Sequence, residues 1–147
     1  MAPELDRGSV EHRLITMRKS VGQLDSLGSL SRARLERHPE TGLVIERILA
    51  LLIDVAFAIN THVSVVVLGE EPQTPTASFG AAEKAGMIDA ELAAALAPPD
   101  GPHNVLVQLH LDTDPEEVAA VVAAAQSGYG EYVRQAADWI RVHASEG

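Results

Sequence analysis

The sequence predicts an all-α protein, an up-and-down helical bundle organised around one long central helix. Three observations carry that expectation. Apolar residues recur at steps of three and four along nearly all of the 147 residues. One stretch, Ile48 to Leu68, is apolar on most of its circumference, as a helix at the centre of a core must be. The only ambiguous run, HNVLVQLHL, has no strand partner elsewhere in the chain, so it too is expected to be helical.

The elements follow in order. Val10, Leu14, Met17, Val21, Leu24 and Leu27 form one face of a first helix that ends near Gly28. Ser29 or Ser31 is expected to cap the short segment SRARLERHP, which Pro39 stops. Thr41 is the expected cap of the long helix, which runs to about Leu68. GEEPQTPT reads as a loop, ASFGAAEKAG as a short helix stopping at Gly86, and Asp89 to Leu96 as another. APPDGP makes a rigid break before HNVLVQLHL. Asp114 then caps the last helix, with Pro115 at its first position and Glu116 and Glu117 in its first turn. Gly128 and Gly130 loosen that helix without ending it. With no repeat and no long linker, residues 1–147 are expected to form a single helical domain with its core between about residues 10 and 145.

Composition limits the function classes. Hydrophobic residues make up 46% of the chain and charged residues 22%, the balance of a folded globular protein. Aromatic residues are only 3%, too few for a single-strand nucleic-acid module built on stacking. The net charge of −10 disfavours RNA as a partner, because phosphate binding relies on clustered Lys and Arg. The acidity is also uneven: through Arg47 eight basic residues meet seven acids, and beyond it three meet fourteen. An anionic partner would therefore approach the first third, where Arg32, Arg34, Arg37 and Arg47 can form a basic strip. With no cysteine, disulfide scaffolds and thiolate chemistry are excluded, and a cytoplasmic location is expected. Met1 to Gln23 holds no uninterrupted apolar run, so no secretory signal is expected. Asp54, Asn60, His62 and Ser64 interrupt the greasiest helix, which favours burial in protein over a membrane partner. A central helix this apolar leaves more surface than a monomer hides, so a homodimer is expected.

Phosphate-loop, dinucleotide, zinc-protease and nucleophile-elbow patterns are missing. Of six histidines, His12, His38 and His143 fall on polar positions, while His62 interrupts the central helix as a hydrogen-bonded core residue or a site-lining one. His103 and His110 are seven residues apart and share a helix face, about 20° from alignment. Asn104 and Gln108 flank them, and Asn104 also suits a helix start. Two histidines so placed can divide acid and base roles in RNA cleavage by the neighbouring 2′-hydroxyl. No third ligand stands nearby, so neither a metal nor any other cofactor is expected.

Three segments, VIERILALLIDVAFAINTHV, SFGAAEKAGMID and GPHNVLVQLHLDTDPEEV, agree in order and spacing with one family. From about Val10 to Trp139 the chain resembles the HepT-like branch of the HEPN superfamily, small helical dimers typified by the ribonuclease toxins of HepT/MntA toxin–antitoxin pairs. The resemblance implies a HEPN-like bundle, a homodimer, an MntA-like nucleotidyltransferase antitoxin as partner, and a site near Arg47, Asp54 and His62 in the central helix. Glu46 also looks like one of the family's central-helix positions.

The family's catalytic motif is Arg-Asn, three residues, His, one residue, Tyr. Here the matching positions hold His103, Asn104, Gln108 and His110, and only the asparagine is retained. Glutamine does not exchange a proton near neutral pH, and loss of a placed acid or base costs about 10²–10⁴-fold in rate. Replacing arginine by histidine also removes a permanent positive charge. The resemblance further implies that the antitoxin adds AMP to the motif tyrosine, and His110 offers no phenolic hydroxyl for that. Three readings stand: a HepT-like protein with weakened or lost ribonuclease activity that acts through a dimer and a nucleotidyltransferase partner; an active, metal-independent endoribonuclease using His103 and His110; or a helical interaction protein of unrelated role.

Overall fold

The computed structural model describes residues 4–28, 32–97 and 115–144, and all the regular structure among them is helical. The elements are α1 (Arg7–Ser26), α2 (Arg32–Arg37), α3 (Pro39–Leu68), α4 (Pro75–Lys84), α5 (Ala90–Leu96) and α6 (Pro115–Ala144). The helix expected over HNVLVQLHL, the serine caps at Ser29 and Ser31, and Asp114 lie outside the described residues.

Local chemistry sets the boundaries. Asp6 caps α1 by accepting from the Ser9 amide, Thr74 caps α4 through Ala77, and Asp89 caps α5 through Leu92. α3 starts two residues before the expected Thr41 cap, with Pro39 at its first position. Proline's φ already suits the first helical position, where its missing N–H costs no intrahelical bond, and His38 precedes it without a side-chain cap bond. α3 ends where Gly69 turns left-handed (φ 70°), a conformation that costs a side-chain-bearing residue energy. Ser64 reinforces that end by donating to the Glu70 carbonyl (2.7 Å). α6 passes through Gly128 and Gly130 without a break.

The core follows the three-and-four spacing. Ile45, Ile48, Leu49, Leu52, Ala56, Ile59 and Val63 of α3 are buried against Val10, Leu14, Met17 and Leu24 of α1. Tyr129, Tyr132, Ala136, Trp139 and Ile140 of α6 complete the cluster. Each large side chain so buried contributes about 1.5–3 kcal/mol. α1 and α3 run antiparallel: the start of α1 at Asp6 meets His62 late in α3, while Gln23 and Leu27 border Val44 and Arg47 early in it. α5 runs antiparallel to α6, with Asp89 beside Gln135 and Leu96 beside Gly128. Among the described residues, no helix is long and apolar enough to cross a membrane.

Candidate functional site

The segment carrying the altered motif joins α5 to α6. His103, Asn104, Gln108 and His110 lie outside the described residues, whereas both anchors of that segment are described. α5 closes at Leu96 and Ala97, and α6 opens at Pro115. The Asp89 amide donates to Gln135 Oε1 (2.9 Å), and Gln135 Nε2 donates back to the Asp89 carboxylate (3.0 Å). At the other end of α5, a Cβ on Gly128 would lie 2.6 Å from Leu96 Cδ2. Only a residue without a side chain lets Leu96 sit there undisturbed, so Gly128 sets how closely α5 approaches α6.

The central-helix residues separate into two settings. Arg47 and Asp54 are exposed and seven residues apart, so they share a face of α3. Neither makes a hydrogen bond or ion pair with another described residue. Arg47 borders two shallow recesses that meet at Val44 and at Arg47 itself. One, of about 610 Å³, is lined by Glu40, Leu43, Glu46 and Ala50; the other, of about 400 Å³, lies against the end of α1 at Gln23, Ser26 and Leu27. His62 is turned roughly 60° away from Arg47 around the helix. It is half-buried, and its Nε2 accepts from the Asp6 amide at 2.9 Å, tying the cap of α1 to α3. An Nε2 that accepts must be unprotonated, so this geometry assigns the ring proton to Nδ1.

The basic strip is partly committed to the fold. The Arg34 guanidinium donates to the Leu27 carbonyl, steadying the exit of α1, while Arg37 and Arg47 are exposed. Among the described residues, no cluster of three or more His, Asp or Glu could hold a metal ion.

Sequence reasoning did not foresee the polar link through the core. Asn60 figured only as an interruption of the central helix, yet it is fully buried between α4 and α6. Tyr132 Oη donates to Asn60 Oδ1 (2.6 Å), and Asn60 Nδ2 donates to Ser78 Oγ (3.2 Å), which in turn donates to the Pro75 carbonyl (2.6 Å). Every member is satisfied, so three helices are held at one point without an unpaired polar group. Phe79 packs edge-on against Tyr132, with centroids 6.3 Å apart. Burial pushes the phenols of Tyr132 and Tyr129 far above the usual tyrosine range, so both stay neutral. The neighbouring Tyr129 hydroxyl is buried without a hydrogen-bond partner among the described residues.

The chain has known relatives. The family described as Ribonuclease HepT-like matches residues 17–136, from the middle of α1 to late α6. The chain is also similar to a protein named tRNA nuclease HepT from Aphanizomenon flos-aquae (strain 2012/KM1/D3), at 29% identity over 126 residues that cover 86% of each chain.

Proposed function

The chain belongs to the HepT-like ribonuclease family, and from that premise we propose that it is a toxin-type component whose ribonuclease activity is weakened or lost and which acts through a homodimer and a nucleotidyltransferase partner. The whole of residues 1–147 is read as one HepT-like domain at work in the cytoplasm. The observation that carries the reading is Gln108, which stands where the family's motif has its histidine. An amide neither takes the 2′-hydroxyl proton nor returns one to the leaving oxygen. Histidines replace the arginine and tyrosine at 103 and 110, so the phosphate loses a fixed cation and the partner loses its acceptor for AMP. The net charge of −10 supports the same reading, as does the use of Arg34 on a backbone carbonyl.

One observation favours a second reading. His103 and His110 are spaced to share a helix face, and two imidazoles can divide acid and base work without a metal. The relative's name makes tRNA the RNA to assay. Purified protein is incubated with tRNA in chelator, beside the triple variant His103→Arg, Gln108→His, His110→Tyr. The expected result is negligible cleavage by the natural chain and a gain of about 10²–10⁴-fold in the variant. Brisk cleavage by the natural chain, lost in both His103→Ala and His110→Ala, would establish the second reading instead. Co-purification with a nucleotidyltransferase encoded beside it tests the partner.

A further inference from the structure

The outer face of α3 carries two features that the other described residues leave unused. Leu43, Val44 and Leu51 are 55%, 45% and 41% exposed, the only group of exposed large apolar residues on one helix face among the described residues. Ile15, Val67 and Val142, the other exposed ones, stand singly on three different helices or far along α3. Within the same stripe lie Arg47 and Asp54, charges of opposite sign with no partner among the described residues. At 100° per residue, positions 43, 44, 47, 51, 54 and 58 fall within an arc of roughly 100°, so they form one stripe.

The order of this stripe complements itself. When two such helices cross antiparallel about a two-fold axis between residues 50 and 51, each position meets the one equally far on the other side. Arg47 then faces the partner's Asp54, and Asp54 faces the partner's Arg47, so one symmetry operation pairs both free charges twice. Leu43 meets the partner's Ala58, and Leu51 lies beside the axis against its own copy. A parallel pairing would set Arg47 against the partner's Arg47. A face that is apolar and charge-matched to itself fits a second copy of this chain better than any surface of a single sign.

We propose that the face of α3 spanning Leu43 to Ala58 is the site where two copies of this chain join, in the antiparallel register that pairs Arg47 with the partner's Asp54. This rests on the homodimer reading above and adds to it the surface, the axis and the contacts.

The chain has no cysteine, so an introduced one reports alone. Full-length Leu51→Cys is expected to form a covalent dimer under mild oxidation, and Val67→Cys is expected to stay monomeric on a non-reducing gel. In sedimentation, Arg47→Asp and Asp54→Arg should each raise the dimer dissociation constant roughly tenfold or more, since each places like charges together twice. The double variant Arg47→Asp, Asp54→Arg should restore it. All four positions are solvent-exposed, so helical circular dichroism is expected to be unchanged. A dimer that ignores both charge reversals and is not trapped in the Leu51→Cys variant overturns this face and leaves the homodimer reading intact. A monomer at every concentration overturns both.

Discussion

Tyr132 and Asn60 are 72 positions apart in the chain, yet the phenol of one donates a 2.6 Å hydrogen bond to the amide of the other in a place closed to solvent. Three residues earlier on the same helix, Tyr129 buries an identical hydroxyl with nothing described to receive it. The pair gives the fold an internal contrast: one phenol matched, one not.

Tyr132→Phe should therefore destabilise the protein by about 2 kcal/mol, because Asn60 Oδ1 is left buried without a donor. For a chain of this size, that lowers Tm by roughly 5 °C. Tyr129→Phe removes a hydroxyl that satisfies nothing and should be neutral or stabilising. Thermal unfolding of both variants side by side checks the signs; equal losses would contradict the contrast.

The glycines of α6 should also part company. Gly130 is exposed, and a Cβ added there would find nothing within 4 Å, so Gly130→Ala should gain about 0.5–1 kcal/mol from helix propensity alone. Gly128→Ala meets Leu96 at 2.6 Å and forces that buried side chain to move. Such overpacking costs about 1–3 kcal/mol, which cancels or outweighs the propensity gain. Urea midpoints at constant m-value measure the difference between the two variants.

Acid should reveal the exposed pair on α6. The Arg134 guanidinium, with help from Gln135, holds the Glu131 carboxyl down at about 2 against an ordinary 4.5. A carboxylate with a depressed folded pKa contributes stability above its unfolded value, and that contribution fades as pH falls from about 4.5 toward 2. The group is open to solvent, so the contribution is small. Carbon-detected titration should find a Glu131 midpoint well below the other glutamates, and Arg134→Ala should bring it back among them.

Loss of the His62 imidazole should loosen the start of α1. In His62→Ala the Asp6 amide has no acceptor, and its hydrogen exchange should quicken, while amides in the middle of α3 keep their protection. Because Asp6 is exposed, water takes the vacated place and the loss in Tm should be no more than a few degrees.

These residues also mark how far the sequence could be read. Asp89 and Pro115 announce helix starts because capping depends on neighbours within one turn, and α5 and α6 begin beside or at them, whereas Thr74 and Pro75, which read as loop, open α4 two residues before the expected ASFGAAEKAG. The core face of α1 was legible for the same reason: its period is written in the chain. Thr41 looks like a cap and points to a later start for α3, whereas Pro39, whose fixed φ suits the first helical position, opens the helix two residues before it. The Tyr132–Asn60–Ser78 link had no local signature, since its members come from three helices. Family membership was legible in ordered segments spread over most of the chain. Among the central-helix residues, Arg47, Asp54 and His62 were marked as one site only by resemblance, and no spacing could show that His62 reaches back to Asp6.

The close contact of Leu96 with Gly128 has a mechanical side as well. It fixes where the chain leaves α5, alongside a point thirteen residues into the helix to which the chain returns at Pro115. About 20 Å of rigid helix therefore separates departure from return. A bulkier residue at 128 would therefore shift the exit of α5 while leaving the entry into α6 where it is.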